Sequence, residues 1–190
     1  MMWQQFYKPH RIARNPLYND DCLYTPGVVV FKSDVSFPER MEAKDWYQVD
    51  VITGYLTEMG FTVTPYSFTD TNDVASVTQA ACDASDVIYI PTDNTAASNT
   101  EAIANVVLPA KVPVVAGEAG ICGGCGVATL SISYYDLGYA TGEMAAKVLT
   151  GEAKISELPV QYAPAFTKQY NAANCEALGV TVPEDYSPLE

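Results

Sequence analysis

The spacing of apolar residues along the chain changes repeatedly between two patterns from about residue 27 onward. Short runs rich in β-branched residues, such as "GVVVF" (27–31) and "DVIYI" (86–90), are typical of strands buried on both faces of a sheet. Between them lie amphipathic segments of helix length, such as "DWYQVDVITGYLTEMG" (45–60), which ends at a capping glycine. Repeated strand–helix units of this kind predict a doubly wound α/β fold, with one Rossmann-like parallel sheet and right-handed crossovers.

The same patterns predict the rest of this sheet and its helices. Further strands are expected at 61–68, 112–117, 127–133 and 158–166, and further helices at 70–86, 96–110, 134–152 and 171–179. Pro65 favours an edge strand or a bulge for 61–68, because proline cannot donate a ladder hydrogen bond. The α/β unit is therefore expected over 27–190, and residues 1–26 form an unassigned N-terminal segment.

Polar residues follow two of the predicted strands, at the edge of the sheet where ligands of doubly wound folds gather. The candidate site residues are Thr92, Asp93, Asn94 and Thr95 after the 86–90 strand, and Gly117 and Glu118 at the end of the 112–117 strand. Carboxylates in such a loop suit a solute ammonium, and hydroxyls and backbone N–H groups suit a solute carboxylate. Helix N-capping accounts for the same residue types, and Glu118 is equally a candidate for a solvated loop acid. The position at the sheet edge favours a ligand site.

The stretch "EAGICGGCGV" (118–127) raises the question of thiol chemistry. A catalytic C-x-x-C opens a helix, whereas the residues after Cys125 are typical of a strand. The sequence therefore predicts a loop in which Cys122 and Cys125 are free thiols or form one small disulfide. Because the only histidine is His10 and no second C-x-x-C occurs, no metal is expected. The glycines match neither common nucleotide-binding pattern, so no cofactor is expected.

The charge distribution excludes two classes of partner. The net charge is −13, with only ten Lys and Arg residues, which argues against nucleic acid and against anionic membrane surfaces. Residues 1–44 carry six basic and five acidic residues, and residues 45–190 carry four basic and eighteen acidic ones.

No apolar run is long enough to span a bilayer. The first 21 residues lack the apolar centre of a secretory signal, so we expect no export signal in this sequence.

Three motifs occur in one order within 47–183: "VIYIPTDNT", "PVVAGE" and "YYDLGYATGEMAAKVLTGE". In that order and spacing the chain resembles the solute-binding proteins of bacterial ABC transporters. More narrowly, it is similar to the type-I periplasmic-binding-protein family that includes tryptophan and tyrosine binders. The resemblance implies two α/β lobes joined by a hinge, with the solute held between them. The matching part is the second lobe and the segment that returns to the first.

The resemblance also implies a function and partners. It indicates the solute-binding component of an ABC importer, not an enzyme, for a small polar or amino-acid-like solute. The implied partners are an ABC permease and the missing first lobe, on which a helix like 134–152 packs in the family. The family is extracytoplasmic, in the periplasm or as cell-surface lipoproteins, and meets the membrane only through the permease or a lipid anchor. Because the first lobe is missing, residues 1–26 match nothing in the family and the charge changes near residue 44, we expect a truncated or altered gene product, or a misassigned start.

One departure from the family leaves part of the site open. The segment "KSDVSFPERMEAKD" (32–45) is longer and more charged than the short polar loop that touches the solute in the family. Roles for Ser33 and Asp34 therefore do not carry over directly.

Two other classes of function remain open from the sequence. A flavodoxin-like sheet could carry a redox enzyme that uses Cys122 and Cys125, or a hydrolase that uses Asp93 and Glu118. A regulator's effector domain shares this fold, but no basic helix-turn-helix precedes the lobe.

Overall fold

The computed structural model describes residues 27–33 and 42–189, with side chains from residue 48 onward. The described strands form one seven-stranded sheet of order β2-β1-β3-β4-β5-β6-β7. The strands are β1 (Gly27–Ser33), β2 (Thr62–Phe68), β3 (Val87–Ile90), β4 (Val114–Ala116), β5 (Ala128–Ile132), β6 (Phe166–Tyr170) and β7 (Ser187–Pro188). Strands β1 to β5 are parallel, β6 is antiparallel to β5, and β7 is parallel to β6. The predicted α/β class with a mostly parallel sheet is confirmed.

The helices of the described residues follow the strands along the chain. They are α1 (Glu42–Glu58), α2 (Val74–Ala84), α3 (Asn94–Ser98), α4 (Thr100–Ala110), α5 (Ala119–Cys125), α6 (Tyr134–Leu149) and α7 (Ala172–Leu178), with a 3₁₀ turn at Ile155–Glu157. The predicted N-terminal segment 1–26 and residues 34–41 of the charged loop lie outside the described residues. In residues 42–189, no helix combines the length and apolar character needed to cross a bilayer.

Alternation along the central strands builds a core on each face of the sheet. Ile88 and Ile90 point to the face covered by α2, α4 and α5, where every core side chain is nearly inaccessible to solvent. Tyr89 and Val115 point to the opposite face and pack against Leu56 of α1. Period-two alternation in a strand covered on both sides produces this arrangement. The result is a three-layer α/β body.

The edge position predicted from Pro65 is confirmed. Strand β2 is the first strand of the sheet and pairs only with β1, where Pro65 lies opposite Val30. The missing N–H of proline therefore leaves no gap in a second ladder.

Two predicted elements differ from the structure. The helix expected at 96–110 is divided into α3 and α4 at Asn99, which ends the first helix with a backbone bond to Ala96 O. The strand expected at 158–166 is wrong, because the sheet strand is β6, beginning at Phe166. Val160 and Tyr162 alternate as strand residues do, but they are 81% and 84% exposed. Alternation without a surface to pack on does not make a strand.

The segment 134–165 differs from the rest of the described chain, since none of its residues is buried. It leaves the sheet after β5 and returns at β6, where Ile132 pairs with Phe166. Helix α6 accounts for half of it and contains no buried residue. Within the helix, a stripe including Leu137, Met144 and Val148 is half-buried.

Candidate functional site

The carboxyl ends of β3 and β4 lie side by side and bring their two loops into contact. The Gly117 N–H donates to the carbonyl of Ile90 at 2.7 Å. A side-chain Cβ built at Gly117 would lie 3.0 Å from both the carbonyl carbon of Pro91 and the amide nitrogen of Thr92. Such a contact is tighter than nine in ten real Cβ contacts, so a larger residue at 117 would push the two loops apart by a few tenths of an ångström, and glycine suits this close approach. The structure therefore brings the two predicted halves of the site together.

Asp93 is the N-cap of α3 and is only 3% exposed. Its Oδ1 accepts a hydrogen bond from the Ala96 N–H at 2.7 Å, which satisfies one unpaired donor of the first helical turn. Asn94 and Thr95 are the first two residues of the helix; Asn94 is exposed and Thr95 is half-buried. Of the capping residues that the sequence left open, Asp93 is the one that caps.

Glu118 is also a helix N-cap. Its carboxylate accepts from the Gly120 N–H at 2.8 Å and from the Ile121 N–H, at the start of α5. The stretch predicted as a loop is thus a two-turn helix, and that prediction is wrong. The cause is tertiary: α5 buries Ile121, Cys122 and Cys125 under the sheet, which overrides the poor helix propensity of its glycines.

The thiols of α5 are buried and free, and no disulfide forms in the described residues. Burial raises the pKa of both Cys122 and Cys125 to about 12. The Cys125 Sγ–H donates to the Ile121 carbonyl at 3.4 Å. A nucleophilic or redox cysteine needs a lowered pKa and an exposed sulfur, and neither condition holds here. This environment does not favour the thiol-based enzyme.

The described residues also offer no metal centre. Within them, no group of three or more His, Cys, Asp or Glu side chains is arranged to hold an ion. His10 lies outside the described residues.

Sequence reasoning missed Gln48, on α1. Its Oε1 accepts from the Thr92 N–H at 2.9 Å, and its Nε2 lies 3.3 Å from the Thr92 hydroxyl oxygen. The two residues are 44 positions apart, so no local pattern connects them. The topology gives a signal: α1 follows β1, the neighbour of β3, and so begins near the same sheet edge.

The carboxyl end of β5 extends this edge to a third strand. Ser131 Oγ accepts from the Ala119 N–H at 3.2 Å and so ties β5 to the start of α5. Tyr134, at the start of α6, is 56% exposed. Partial burial, and secondarily the charge of Glu118, raise the pKa of Tyr134. The edge therefore combines hydroxyls, two capping carboxylates and an aromatic ring.

Known proteins resemble this chain in sequence and in structure. A tyrosine-binding protein of Clostridioides difficile (strain R20291) is 29% identical over 119 residues, which are 63% of this chain and 34% of that protein. A crystal structure of an ABC domain in complex with L-Trp from Streptococcus pneumoniae superposes with a TM-score of 0.75 at 27% identity, over 86% of this chain and 56% of that one. A ligand-free, open substrate binding protein with adhesive properties from Clostridium difficile gives 0.65 at 31% identity, over 87% and 54%.

The chain thus spans about a third of the curated relative and little more than half of these solved structures. The family model described as ABC transporter substrate binding protein matches residues 37–188, which is most of the chain. The chain therefore belongs to the ABC transporter substrate binding protein family.

Proposed function

We propose that this chain is one lobe of the solute-binding component of a bacterial ABC importer and that its solute is an aromatic amino acid. The observation that carries the proposal is the polar edge at the carboxyl ends of β3 and β4, in a lobe that superposes on an L-Trp complex with a TM-score of 0.75. The tyrosine-binding protein of Clostridioides difficile adds support for an aromatic solute.

The lobe's share of the pocket comes from the six candidate residues. They are Thr92, Asp93, Asn94, Thr95, Gly117 and Glu118. Both carboxylates cap helices. A carboxylate has about four lone-pair sites, and the cap of the half-buried Glu118 uses two of them, so Glu118 has capacity for a solute ammonium, while Asp93 lines the same edge. None of the six is cationic, so a solute carboxylate must be met by hydroxyl and N–H donors. Tyr134 beside Glu118 supplies an aromatic face for the ring of the solute.

A second α/β lobe is the partner that this function requires. The segment 134–165 presents apolar side chains with no cover, among them Leu149 at 86% exposure and Ile155 at 79%. Exposed apolar surface of this extent is typical of an interaction face. Closure of the two lobes on the solute then shifts the population to the form that an ABC permease accepts.

The remaining parts of the proposal follow from family membership. The protein works outside the cytoplasm, carries out no chemical reaction on its solute, and delivers it to the permease. Genes for a permease and an ATPase beside the gene for this chain are the expected neighbourhood. Their absence, with genes for a metabolic pathway in their place, would contradict the importer assignment.

Binding by this chain alone is expected to be weak, because one lobe buries only part of a solute. Calorimetry with L-tryptophan and L-tyrosine should show no micromolar affinity. A ¹⁵N NMR titration at millimolar solute should move the amide signals of 92–95 and 117–118 more than any others. A micromolar Kd would overturn the one-lobe interpretation, and shifts confined to other residues would overturn the pocket.

A further inference from the structure

We infer that Gln48 is a positioning residue that makes the Thr92 hydroxyl a hydrogen-bond donor toward the carboxylate of the solute. The inference rests on the proposed function and specifies it further: the solute must carry a free carboxylate, and this lobe recognises it at Thr92. The observation behind it is the pair of contacts between the Gln48 amide and Thr92.

The first contact fixes the orientation of the amide. The Thr92 backbone N–H lies 2.9 Å from Gln48 Oε1. A backbone N–H can only donate, so the amide oxygen, and not the amide nitrogen, must face it. The reversed amide would set two donors against each other.

The second contact then fixes the role of the hydroxyl. Gln48 Nε2, which carries only donors, lies 3.3 Å from Thr92 Oγ1. The hydroxyl oxygen is therefore the acceptor in this contact, and its proton must be directed elsewhere. Thr92 is exposed, and among the described residues no acceptor for that proton is found. The loop thus presents an O–H donor to whatever occupies the site.

The surroundings hold this arrangement in place. On one side, Gly117 approaches the backbone of Pro91 and Thr92 so closely that a Cβ would lie 3.0 Å away. On the other side, α1 is anchored next to Gln48 by Val49, which is 5% exposed. The loop between them has little freedom, so the hydroxyl is oriented before a solute arrives. Preorganised donors lose less entropy on binding.

The pattern of donors and acceptors gives the chemical class. Asp93 and Glu118, when ionised, only accept hydrogen bonds, whereas the Thr92 hydroxyl is available to donate. An α-amino acid with a free carboxylate fits this polarity, with its ammonium toward the carboxylates. Its carboxamide offers a neutral oxygen and forms a weaker, uncharged hydrogen bond.

The test compares L-tryptophan with L-tryptophanamide in ¹⁵N NMR titrations of the full chain. We expect the signals of 92–95 and 117–118 to respond to L-tryptophan at about tenfold lower concentration, as a charge-assisted bond replaces a neutral one. In Gln48→Glu, the new carboxylate accepts from both the N–H and the hydroxyl of Thr92 and turns the proton inward. The preference should then vanish or reverse. Thr92→Val, which removes the hydroxyl, should also abolish the preference.

Gln79→Glu is the matched control, because it adds the same charge on α2, at the opposite face of the sheet from α1. It should keep the tenfold preference. A preference that survives Gln48→Glu or Thr92→Val overturns the inference. Equal responses to the two ligands in the unmodified chain overturn it as well and leave the proposed function standing. If neither ligand moves any signal of the sheet edge, the proposed pocket fails together with the inference.

Discussion

The three-layer body and the segment 134–165 contain the same apolar residue types, but the body buries them and the segment leaves them exposed. In the body, Ile88, Ile103 and Val114 are completely inaccessible to solvent. In the segment, Leu149 and Tyr162 are more than 80% exposed, and no residue is buried. The body therefore contains its own core, whereas the apolar pattern of the segment has no counterpart within the described residues.

Helix α6 makes the contrast most clearly. Leu137, Met144 and Val148 form a half-buried stripe, while Tyr134 and Leu149 are exposed on a neighbouring face. A helix that is apolar on more than one face is normally covered on more than one face. The apolar character of α6 is therefore consistent with the proposal that it packs against a second lobe.

The largest effect should come from matched truncations in the two regions. Ile103→Ala in α4 leaves a cavity and should lower the free energy of unfolding by about 2–5 kcal/mol. Leu149→Ala in α6 removes a side chain of the same size from a helix, but an exposed one, so the change should stay within about 0.5 kcal/mol. Chemical denaturation followed by circular dichroism measures both. A loss of comparable size for Leu149→Ala would mean that the segment packs on this chain after all.

Replacing one glycine by alanine in each region should change the free energy of unfolding by a smaller amount, with a loss of stability in the body and a gain in the segment. Gly117→Ala forces a Cβ against the Pro91–Thr92 backbone and should cost about 1–3 kcal/mol. Gly142→Ala on α6 meets nothing within 4 Å and should stabilise the helix by up to about 1 kcal/mol.

Denaturation midpoints give the sign of each change, and the Thr92 amide signal reports whether the loop has moved. A neutral Gly117→Ala would show that the β3 and β4 loops are not held in contact. A destabilising Gly142→Ala would show that α6 is closely covered.

The same contrast explains how much of the fold was predictable. The strands of the three-layer body are predictable from the sequence, because a strand buried on both faces needs a continuous run of β-branched residues, as in "DVIYI" (86–90). The false strand at 158–166 has the right alternation but no neighbour, and neighbours cannot be read from a local window. Helix α5 was missed because its glycines predict a loop, and only the burial of Ile121 and the cysteines makes it a helix.

The geometry of the candidate site was predictable only in part. The rule that parallel strands place their carboxyl ends at one edge was enough to bring Asp93 and Glu118 to neighbouring strand ends, and their contact with a solute stays a prediction. Their roles as caps required coordinates, because Asn94 and Thr95 are equally good capping residues by type. The contact of Gln48 with Thr92 could be found only in the structure, because the two residues are 44 positions apart in the sequence.

The last prediction concerns the buried thiols, and it separates a core cysteine from a reactive one. The pKa of Cys122 and Cys125 is raised from 9 in the unfolded chain to about 12 in the fold. A raised folded-state pKa favours the neutral thiol, so this contribution to stability is complete below pH 9 and is lost as the pH rises from 9 toward 12. Alkylation at pH 8, resolved by peptide mass spectrometry, should leave both cysteines unmodified in the native chain.

The same reaction in denaturant is the control, because the thiols then have an ordinary pKa and should be modified rapidly. Cys82, which is half-buried, is the internal comparison and should react at an intermediate rate. The denaturation midpoint should be lower at pH 10.5 than at pH 7. Tyr89 and Tyr186 add to this loss of stability, because burial raises their pKa values as well. Rapid labelling of Cys122 in the native chain would instead require an open, ionised thiol. It would return the redox enzyme to consideration, because the body would then hold a reactive group where the structure places a packed core.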